Sequence, residues 1–235
     1  MADRPILFSG PMVRALLADR KTQTRRIIDF AGVDKVVEFV RVGFDRDTGV
    51  PFFEMKGGAG QFLTRPKGRH FVDHHYSPRF GVGDRLYVRE AHAIVPRTAY
   101  RCSEGVEQML RPDDDHDAAI FRCGWDRSIP KWRPGIHMPR WASRLTLTVT
   151  DVRVQRLQEI SEADAIAEGA WSNGKGYTCF ETNAGRTEML PAARPAFAEL
   201  WNSLNAERGY GWYVNPWVTV TTFAVERRNI DEVAP

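Results

Sequence analysis

The stretch from residue 19 to residue 27, DRKTQTRRI, combines residue types that can do chemistry. It holds four cations against one carboxylate, so its charge is 4 − 1 = +3, equal to the net charge of the 235-residue chain. A lysine beside a threonine hydroxyl can activate that hydroxyl as a nucleophile. Lys21 and Thr24 would point to opposite faces of a continuous strand, so they meet only if a turn lies between them.

A simpler interpretation of the same stretch stays open. Lysine and arginine are common at the end of a helix, where they interact favourably with the helix dipole. Spacing alone favours this interpretation over an activated nucleophile. Arg25 and Arg26 could bind phosphate bidentately, but neighbouring strand residues alternate between faces. We therefore expect one of them in a cleft and the other at the surface.

The elements that must position these residues follow from hydrophobic spacing. An apolar stripe over residues 12–17 predicts a helix, with Ser9 as its N-cap and Pro11 in its first turn. β-Branched residues predict an extended segment from Thr22. DRKTQTRRI is therefore expected to begin at a helix end and to run into a strand.

The remaining pattern predicts a mixed β-sheet with a few helices outside it. In residues 144–157 the apolar phase shifts between Val149 and Val152, which predicts a bulge or bend near Thr150–Asp151. Ser161 begins a capping-box-like turn, and Gly169 suits the position just past the helix end. This irregular order favours an α+β protein with a curved sheet or small barrel over a βαβ layer. Strands are predicted at 5–9, 36–41, 81–90, 144–157 and 215–227, helices at 161–168 and 192–205, and loops over much of 29–80 and 95–135.

Composition sets the broad class. Apolar residues make up 43% and charged residues 27% of the chain, as in soluble globular proteins. No apolar run approaches the roughly 18 residues of a membrane span, and the N-terminus does not resemble a secretory signal. Three cysteines without a CxxC pair predict a reducing, cytoplasmic compartment. The small positive charge permits nucleic-acid binding without requiring it.

The segment 131–144, KWRPGIHMPRWASR, interleaves cations with two tryptophans. Aromatic rings between cations suit base stacking with phosphate contacts, so Arg140 and Trp141 are candidate substrate-binding residues. The alternative is that the tryptophans anchor an irregular segment to the core; it is favoured for Trp132 and equally weighted for Trp141. His137 could bind a base or a carbonyl, although a lone histidine is more often structural.

Histidines cluster in residues 69–76, RHFVDHHY. His70 and His74 have a spacing that can bind zinc on a helix, and His75 is adjacent. The surroundings predict a loop, and no fourth ligand follows at a recognised spacing, so no metal site is predicted. The acidic run DDDHD (113–117) is most simply a solvated loop.

Three sequence blocks, taken together, resemble the ASCH domains of the PUA-like superfamily. They are LLADRKTQTRR (16–26), GVGDRLYVRE (81–90) and ISEADAIAEG (160–169), and they occur in the family's order. The segments RPGIHMPRWASR and GYGWYVNPWV are similar to phage and prophage members. The resemblance implies a PUA-like mixed β pseudo-barrel with a few flanking helices. Here it would form a single domain over 1–235, with long loop insertions at about 29–80 and 95–140.

The resemblance also implies a site and an activity. Some ASCH proteins are amidohydrolases that remove the acetyl group from acetylcytidine, and their reacting groups correspond to Lys21, Thr24 and Glu168. In that assignment Thr24 attacks the acetyl carbonyl, Lys21 eases formation of the alkoxide, and Glu168 passes the proton to the leaving amine. Glu90 is a second acidic candidate. This chemistry needs no metal or cofactor.

The expected partners are a nucleoside or single-stranded RNA, or DNA, without a membrane. The expected function is hydrolysis of an acylated or modified cytidine in the cytoplasm, or in the host cytoplasm if the chain is phage-encoded. Two alternatives use the same cleft. One is a non-catalytic RNA- or DNA-binding module, and the other is a ribonuclease in which Lys21 and neighbouring arginines stabilise the transition state.

Overall fold

The structure is a computed structural model that describes residues 2–29, 36–46, 48–57, 71–72, 75–125, 130–172, 174–178 and 189–232. Within these residues strands predominate, and three α-helices accompany them. The predicted α+β class is therefore confirmed.

The chain forms two compact units, each built from separated segments. The Lys21 unit comprises Arg20–Asp84 and Val149–Phe223, and the Glu90 unit comprises Ala2–Asp19, Arg85–Thr148 and Ala224–Pro235. Two long strands, β11 (Thr146–Arg156) and β14 (Trp217–Glu226), contribute residues to both units.

The Lys21 unit contains a four-stranded antiparallel sheet in the order β3-β4-β6-β5 and a β12-β13 ribbon. Its third set of strands runs β11-β14-β2, in which β14 and β2 are antiparallel and Thr221 lies opposite Thr24. Its elements are β2 (Gln23–Ile27), β3 (Val36–Phe44), β4 (Pro51–Gly57), β5 (Phe71–Val72), β6 (His75–Tyr76), α2 (Glu162–Ala167), β12 (Trp171–Ser172), β13 (Tyr177–Thr178) and α3 (Ala193–Asn205).

In the Glu90 unit the order β1-β7-β11 combines a parallel and an antiparallel pair, and a separate sheet has the order β8-β10-β9. The C-terminal segment is fastened to this unit by Asn229, whose side-chain amide donates to the carbonyls of Arg140, Trp141 and Ser143. Its elements are β1 (Asp3–Leu7), α1 (Gly10–Leu17), β7 (Arg85–Arg89), β8 (His92–Pro96), β9 (Met109–Leu110) and β10 (Asp117–Phe121).

Each unit has its own apolar core. In the Lys21 unit Ile28, Val36, Met55 and Trp217 are buried together, and Phe39 packs edge-on against Trp217. In the Glu90 unit the buried residues Ala119, Phe121, Met138 and Ala142 form a second cluster, with Trp141 packed against it. Burial of this apolar surface is the main favourable term in forming both units.

Several predicted elements agree closely with the structure. The helix predicted at 161–168 is α2, with Ser161 as N-cap and Glu168 as C-cap, and the helix predicted at 192–205 is α3. Buried positions in β11 change phase between Val149 and Val152, as the sequence indicates, within one continuous strand.

Two loop predictions are wrong. Residues 51–57 form strand β4, in which buried and half-buried positions alternate despite the flanking proline and glycine. Residues 117–121 form strand β10, and Asp117, the last residue of the acidic run, begins it. The apolar run after Asp117 is buried on both sides and so lacks the alternation that marks a half-buried strand.

The loop insertions are partly described. Residues 29–80 include β3, β4, β5 and β6, and residues 95–140 include β9 and β10. The single-domain boundary at 1–235 stays a prediction. In the described part of the chain no helix has both the length and the apolar character of a membrane span.

Candidate functional site in the Lys21 unit

Helix α2 fixes the position of Glu168. The helix begins where the Ser161 side chain accepts a hydrogen bond from the backbone N–H of Asp164 at 3.0 Å, which satisfies one of its free N–H groups. It ends at Ala167, and Gly169 follows with a φ of 111°, a conformation that favours glycine. Glu168 is thereby held at the turn where the chain leaves the helix.

The segment around Lys21 lies antiparallel to this turn. Lys21 and Glu168 form an antiparallel bridge. On one side of it the N–H of Thr22 donates to the carbonyl of Ala167 at 2.8 Å. On the other side the Arg20 guanidinium donates to the carbonyl of Gly169 at 3.0 Å. Backbone contacts thus align the two segments and set the distance between the two charged side chains.

Lys21 and Glu168 form a buried ion pair. The Lys21 Nζ donates to Glu168 Oε2 at 2.7 Å and to the Glu168 carbonyl at 2.9 Å. The other carboxylate oxygen, Oε1, accepts from Arg25 at 3.0 Å. The Lys21 side chain is 1% exposed and that of Glu168 is 5% exposed. In this dry setting the electrostatic interactions are much stronger than in water.

A second carboxylate, Asp164, extends the network. Its oxygens lie 3.2 Å from the Arg25 guanidinium and 2.8 Å from that of Arg153. Burial disfavours the ionised form of Asp164, but the hydrogen bond from Gln23 and the charges of Arg153 and Arg25 outweigh it, so its pKa lies below the ordinary value. Asp164 is therefore an anion at neutral pH.

The sequence did not single out Asp164, Arg153 or Gln23 as site residues. A signal was present in the sequence, because Asp164 and Glu168 are four residues apart and so share one face of α2. Arg153 lies on strand β11, and no spacing in the sequence relates it to α2.

Thr24 occupies a different position from the ion pair. Because strand residues alternate, and because Arg25 faces Glu168, the Thr24 side chain leaves β2 on the opposite face. Thr24 is 5% exposed. The hydrogen bonds of the ion pair join Lys21, Glu168 and Arg25.

Arg25 and Arg26 differ as neighbours on a strand should. Arg25 is buried in the network, whereas the Arg26 side chain is exposed. The surrounding protein nevertheless desolvates Arg26 and lowers the pKa of its guanidinium; nearby Glu168 opposes this shift and Arg79 adds to it. Alternation along β2 places Arg26 on the same face as Thr24, opposite Arg25.

Glu90 belongs to the Glu90 unit and is 2% exposed. Both of its oxygens accept from the Arg144 guanidinium, at 2.9 and 3.0 Å. Arg144 also donates to Glu107 at 2.5 Å and lies 4.0 Å from the centre of the Phe121 ring. Burial raises the pKa of Glu90 although Arg144 opposes it, and Glu107 adds to the rise. These contacts indicate that the Arg144–Glu90 pair stabilises the fold of this unit.

The other predicted binding residues also lie in the Glu90 unit. His137 is exposed on a 3-10 turn (Gly135–His137). Arg140 bridges Asp3 and Asp231, at 2.5 and 2.6 Å. Trp141 packs against the apolar cluster that contains Phe121. Arg140 is thus paired with two carboxylates, and Trp141 contacts the core.

The histidine cluster falls mostly outside the described residues, which exclude His70 and His74. His75 is described, in β6, with its ring 6.3 Å from that of Phe52. Within the described residues no group of three or more His, Cys, Asp and Glu side chains is arranged to hold a metal ion. Cys102 is exposed, and Cys123 is half-buried with its pKa raised chiefly by burial.

Comparison of the chain with models of known families, with curated proteins and with solved structures finds no match. The resemblance to ASCH domains therefore depends on the residue pattern.

Proposed function

We propose that the chain is an ASCH-type hydrolase that removes an acyl group from the exocyclic amine of a cytidine nucleoside or of cytidine in RNA. The proposal is supported mainly by one observation, the 2.7 Å contact between Lys21 Nζ and Glu168 Oε2. It includes a PUA-like pseudo-barrel as the fold, and a cytoplasmic location or, for a phage-encoded chain, the host cytoplasm.

The contact suits proton transfer. A lysine ammonium can lose and regain a proton, and a carboxylate at hydrogen-bond distance can accept it. Arg25 holds Oε1 and so directs Oε2 toward Lys21. During hydrolysis a nucleophile adds to the acyl carbonyl and gives up a proton. The C–N bond then breaks as the amine takes a proton, and Lys21 and Glu168 are placed to carry that proton.

The nucleophile is a separate question. Thr24, which the resemblance implies as the nucleophile, leaves β2 on the face opposite Arg25, whereas water needs no rearrangement of the strand. We therefore expect Thr24→Val, which removes the hydroxyl and keeps the shape, to retain turnover. Loss of turnover in Thr24→Val, with rescue by Thr24→Ser, would return the role to Thr24.

The ion pair is buried, so a substrate must first gain access to it. With Lys21 1% and Glu168 5% exposed, neighbouring side chains must move before an acyl group can reach the pair. Burial keeps bulk water out, so the nucleophilic water must enter with the substrate, and the interactions that stabilise charge in a transition state are stronger than in solution. Arg26 is exposed, but alternation along β2 puts it on the face opposite Arg25, so we expect no contact between Arg26 and a substrate bound at the ion pair.

The direct test incubates the protein with N4-acetylcytidine and follows cytidine by chromatography. We expect turnover by the wild type and its loss in Lys21→Ala and Glu168→Ala. Glu38 and Lys56 provide the matched control, because they form an exposed Lys–Glu pair at 3.8 Å in the same unit. Glu38→Ala and Lys56→Ala should keep full turnover. An inactive wild type would refute hydrolysis of this substrate.

A second candidate is a non-catalytic RNA- or DNA-binding module. It is favoured by the full pairing of Glu168, since Lys21 on one oxygen and Arg25 on the other form a brace that is complete without a substrate. Such a module should bind single-stranded RNA with an affinity that falls as salt rises, because phosphate contacts release counterions. RNA binding with a salt slope in Lys21→Ala and in wild type alike, without deacylation, would select this candidate.

A further inference from the structure

The antiparallel contact between the Lys21 segment and the end of α2 continues past the buried ion pair to Arg20 and Trp171. Arg20 donates to the Gly169 carbonyl, and its guanidinium carbon lies 5.9 Å from the centre of the Trp171 ring. Both side chains are half-buried, in contrast to the nearly inaccessible Lys21 and Glu168. Arg20 and Trp171 are therefore the solvent-accessible continuation of the contact that holds the ion pair.

Trp171 differs from the structural tryptophans of its unit. Trp217 is 7% exposed, donates its indole N–H to the Val36 carbonyl, and has the Arg156 guanidinium 4.3 Å from its ring. Trp201 is 5% exposed and donates to the Tyr210 carbonyl. No described residue accepts a hydrogen bond from the Trp171 indole, which is not buried. Trp217 and Trp201 are thus part of the core, whereas Trp171, like Trp212, is half-buried, and the edge of the Trp171 indole stays accessible.

We propose that Trp171 and Arg20 hold the aromatic base of the substrate beside Lys21 and Glu168, and so determine specificity for an acylated nucleobase. The inference rests on the proposed function. A base can stack on the indole, and such stacking is tolerant of the identity of the base. The Arg20 guanidinium supplies fixed donors for a ring carbonyl or a phosphate. An aliphatic acylamide has no ring to stack and would lose this contact.

The test compares wild type, Trp171→Ala and Trp171→Phe with N4-acetylcytidine as substrate. Loss of one stacking contact raises KM about 10-fold or more in Trp171→Ala, while kcat stays within about 3-fold. Trp171→Phe keeps a ring and should recover most of the affinity. Tyr213, which is 91% exposed in the same unit, is the matched control, and Tyr213→Ala should leave KM unchanged.

A second measurement separates this inference from the proposed function. Cytidine is titrated into the wild type and into Trp171→Phe, and quenching of tryptophan fluorescence is followed. Quenching in the wild type that Trp171→Phe abolishes supports the base-binding role even if no turnover occurs, in which case only the hydrolase proposal fails. Normal KM in Trp171→Ala, or a Phe variant as impaired as the Ala variant, overturns the inference while hydrolysis stands. An absence of both turnover and quenching in the wild type overturns both.

Discussion

Glu168 and Glu90 are both buried carboxylates held by cations, but the two units hold them in different ways. Glu168 has one oxygen on Lys21 and the other on Arg25, whereas both oxygens of Glu90 are bound by the single guanidinium of Arg144. Arg144 also reaches Glu107 and lies against the Phe121 ring.

On the proposed function, this difference separates a network suited to proton transfer from one that only stabilises the fold. Arginine stays protonated in proteins and its planar fork matches a carboxylate, so Arg144 is the better brace for Glu90. Lysine binds as a point charge and can release its proton. An arginine in place of Lys21 would hold the Glu168 carboxylate equally well. Lysine differs from arginine at this position because it has a proton that it can transfer.

The largest loss of unfolding free energy should come from removing Arg144, the cation that binds Glu90. Arg144→Met leaves a carboxylate buried without its cation, and loss of one partner of a buried pair costs about 3–5 kcal/mol. Arg25→Met should cost less, about 1–3 kcal/mol, because Glu168 keeps Lys21. Urea unfolding followed by circular dichroism measures both. Equal losses in the two variants would contradict the distinction between one cation and two.

Replacement of Lys21 by arginine should separate the effect of its positive charge from the effect of its transferable proton. Lys21→Arg preserves the positive charge but removes the transferable proton, so deacylation should fall at least about 100-fold, or ~2.7 kcal/mol in activation free energy. The unfolding free energy should change by less than about 1 kcal/mol, since a pair is retained. Lys56→Arg is the exposed control. Full turnover in Lys21→Arg would show that the Lys21–Glu168 pair only stabilises the fold, as the Arg144–Glu90 pair does.

Acid should weaken the Lys21 unit through Asp164. The folded pKa of Asp164 lies below its ordinary value of 3.8. Its ionised form therefore stabilises the fold above that value, and the stabilisation is lost as pH falls through the folded pKa. Asp164→Asn should lower the unfolding free energy at pH 7 by about 1–2 kcal/mol. In titrations of both proteins, this difference should shrink as pH falls below about 4; a constant difference would exclude the linkage.

Glu90 should contribute with the opposite sign. Its folded pKa is raised from 4.5, first by burial. The fold thus favours its protonated form, and this contribution is present below 4.5 and is lost as pH rises through the folded pKa. A smaller cost of Arg144→Met in acid than at pH 7 would show this, because a protonated Glu90 no longer needs its cation.

The smallest effect concerns the N-cap of one helix in each unit. Ser161 caps α2 with its side chain, so Ser161→Ala should cost about 1 kcal/mol. Ser9 occupies the N-cap of α1 without a side-chain hydrogen bond, so Ser9→Ala should cost less than about 0.5 kcal/mol. Thermal unfolding of both variants gives the comparison. Similar losses would mean that the Ser161 hydrogen bond does not stabilise α2.

The sequence was informative where a pattern is local. A capping serine and a following glycine predicted both ends of α2, and an i, i+3, i+4, i+7 stripe predicted α3. Strand β10 was missed because an apolar run buried on both sides has no period of two. Local signals thus predicted α3 and the helix α2, which carries Asp164 and ends next to Glu168, and they missed strands whose burial comes from distant segments.

The candidate site was only partly accessible to such reasoning. The resemblance implied that Lys21 and Glu168 belong together, and they do meet at 2.7 Å although 147 residues separate them. No spacing could show that Arg25 shares the carboxylate or that Arg153 neutralises Asp164, since those contacts depend on how β2 and β11 lie against α2. Alternation along β2 could have separated Thr24 from Arg25, because it depends only on adjacent positions.

The discontinuous make-up of the units has a consequence for synthesis on the ribosome. The Glu90 unit needs residues from Ala224 onward as well as Ala2–Asp19, and Asn229 joins the later segment to residues 140–143. Domains generally fold as units during synthesis, from the N-terminus onward. Here β1 cannot complete its unit until Asn229 has been made, so nascent chains stalled before residue 224 should remain sensitive to protease in the Glu90 unit.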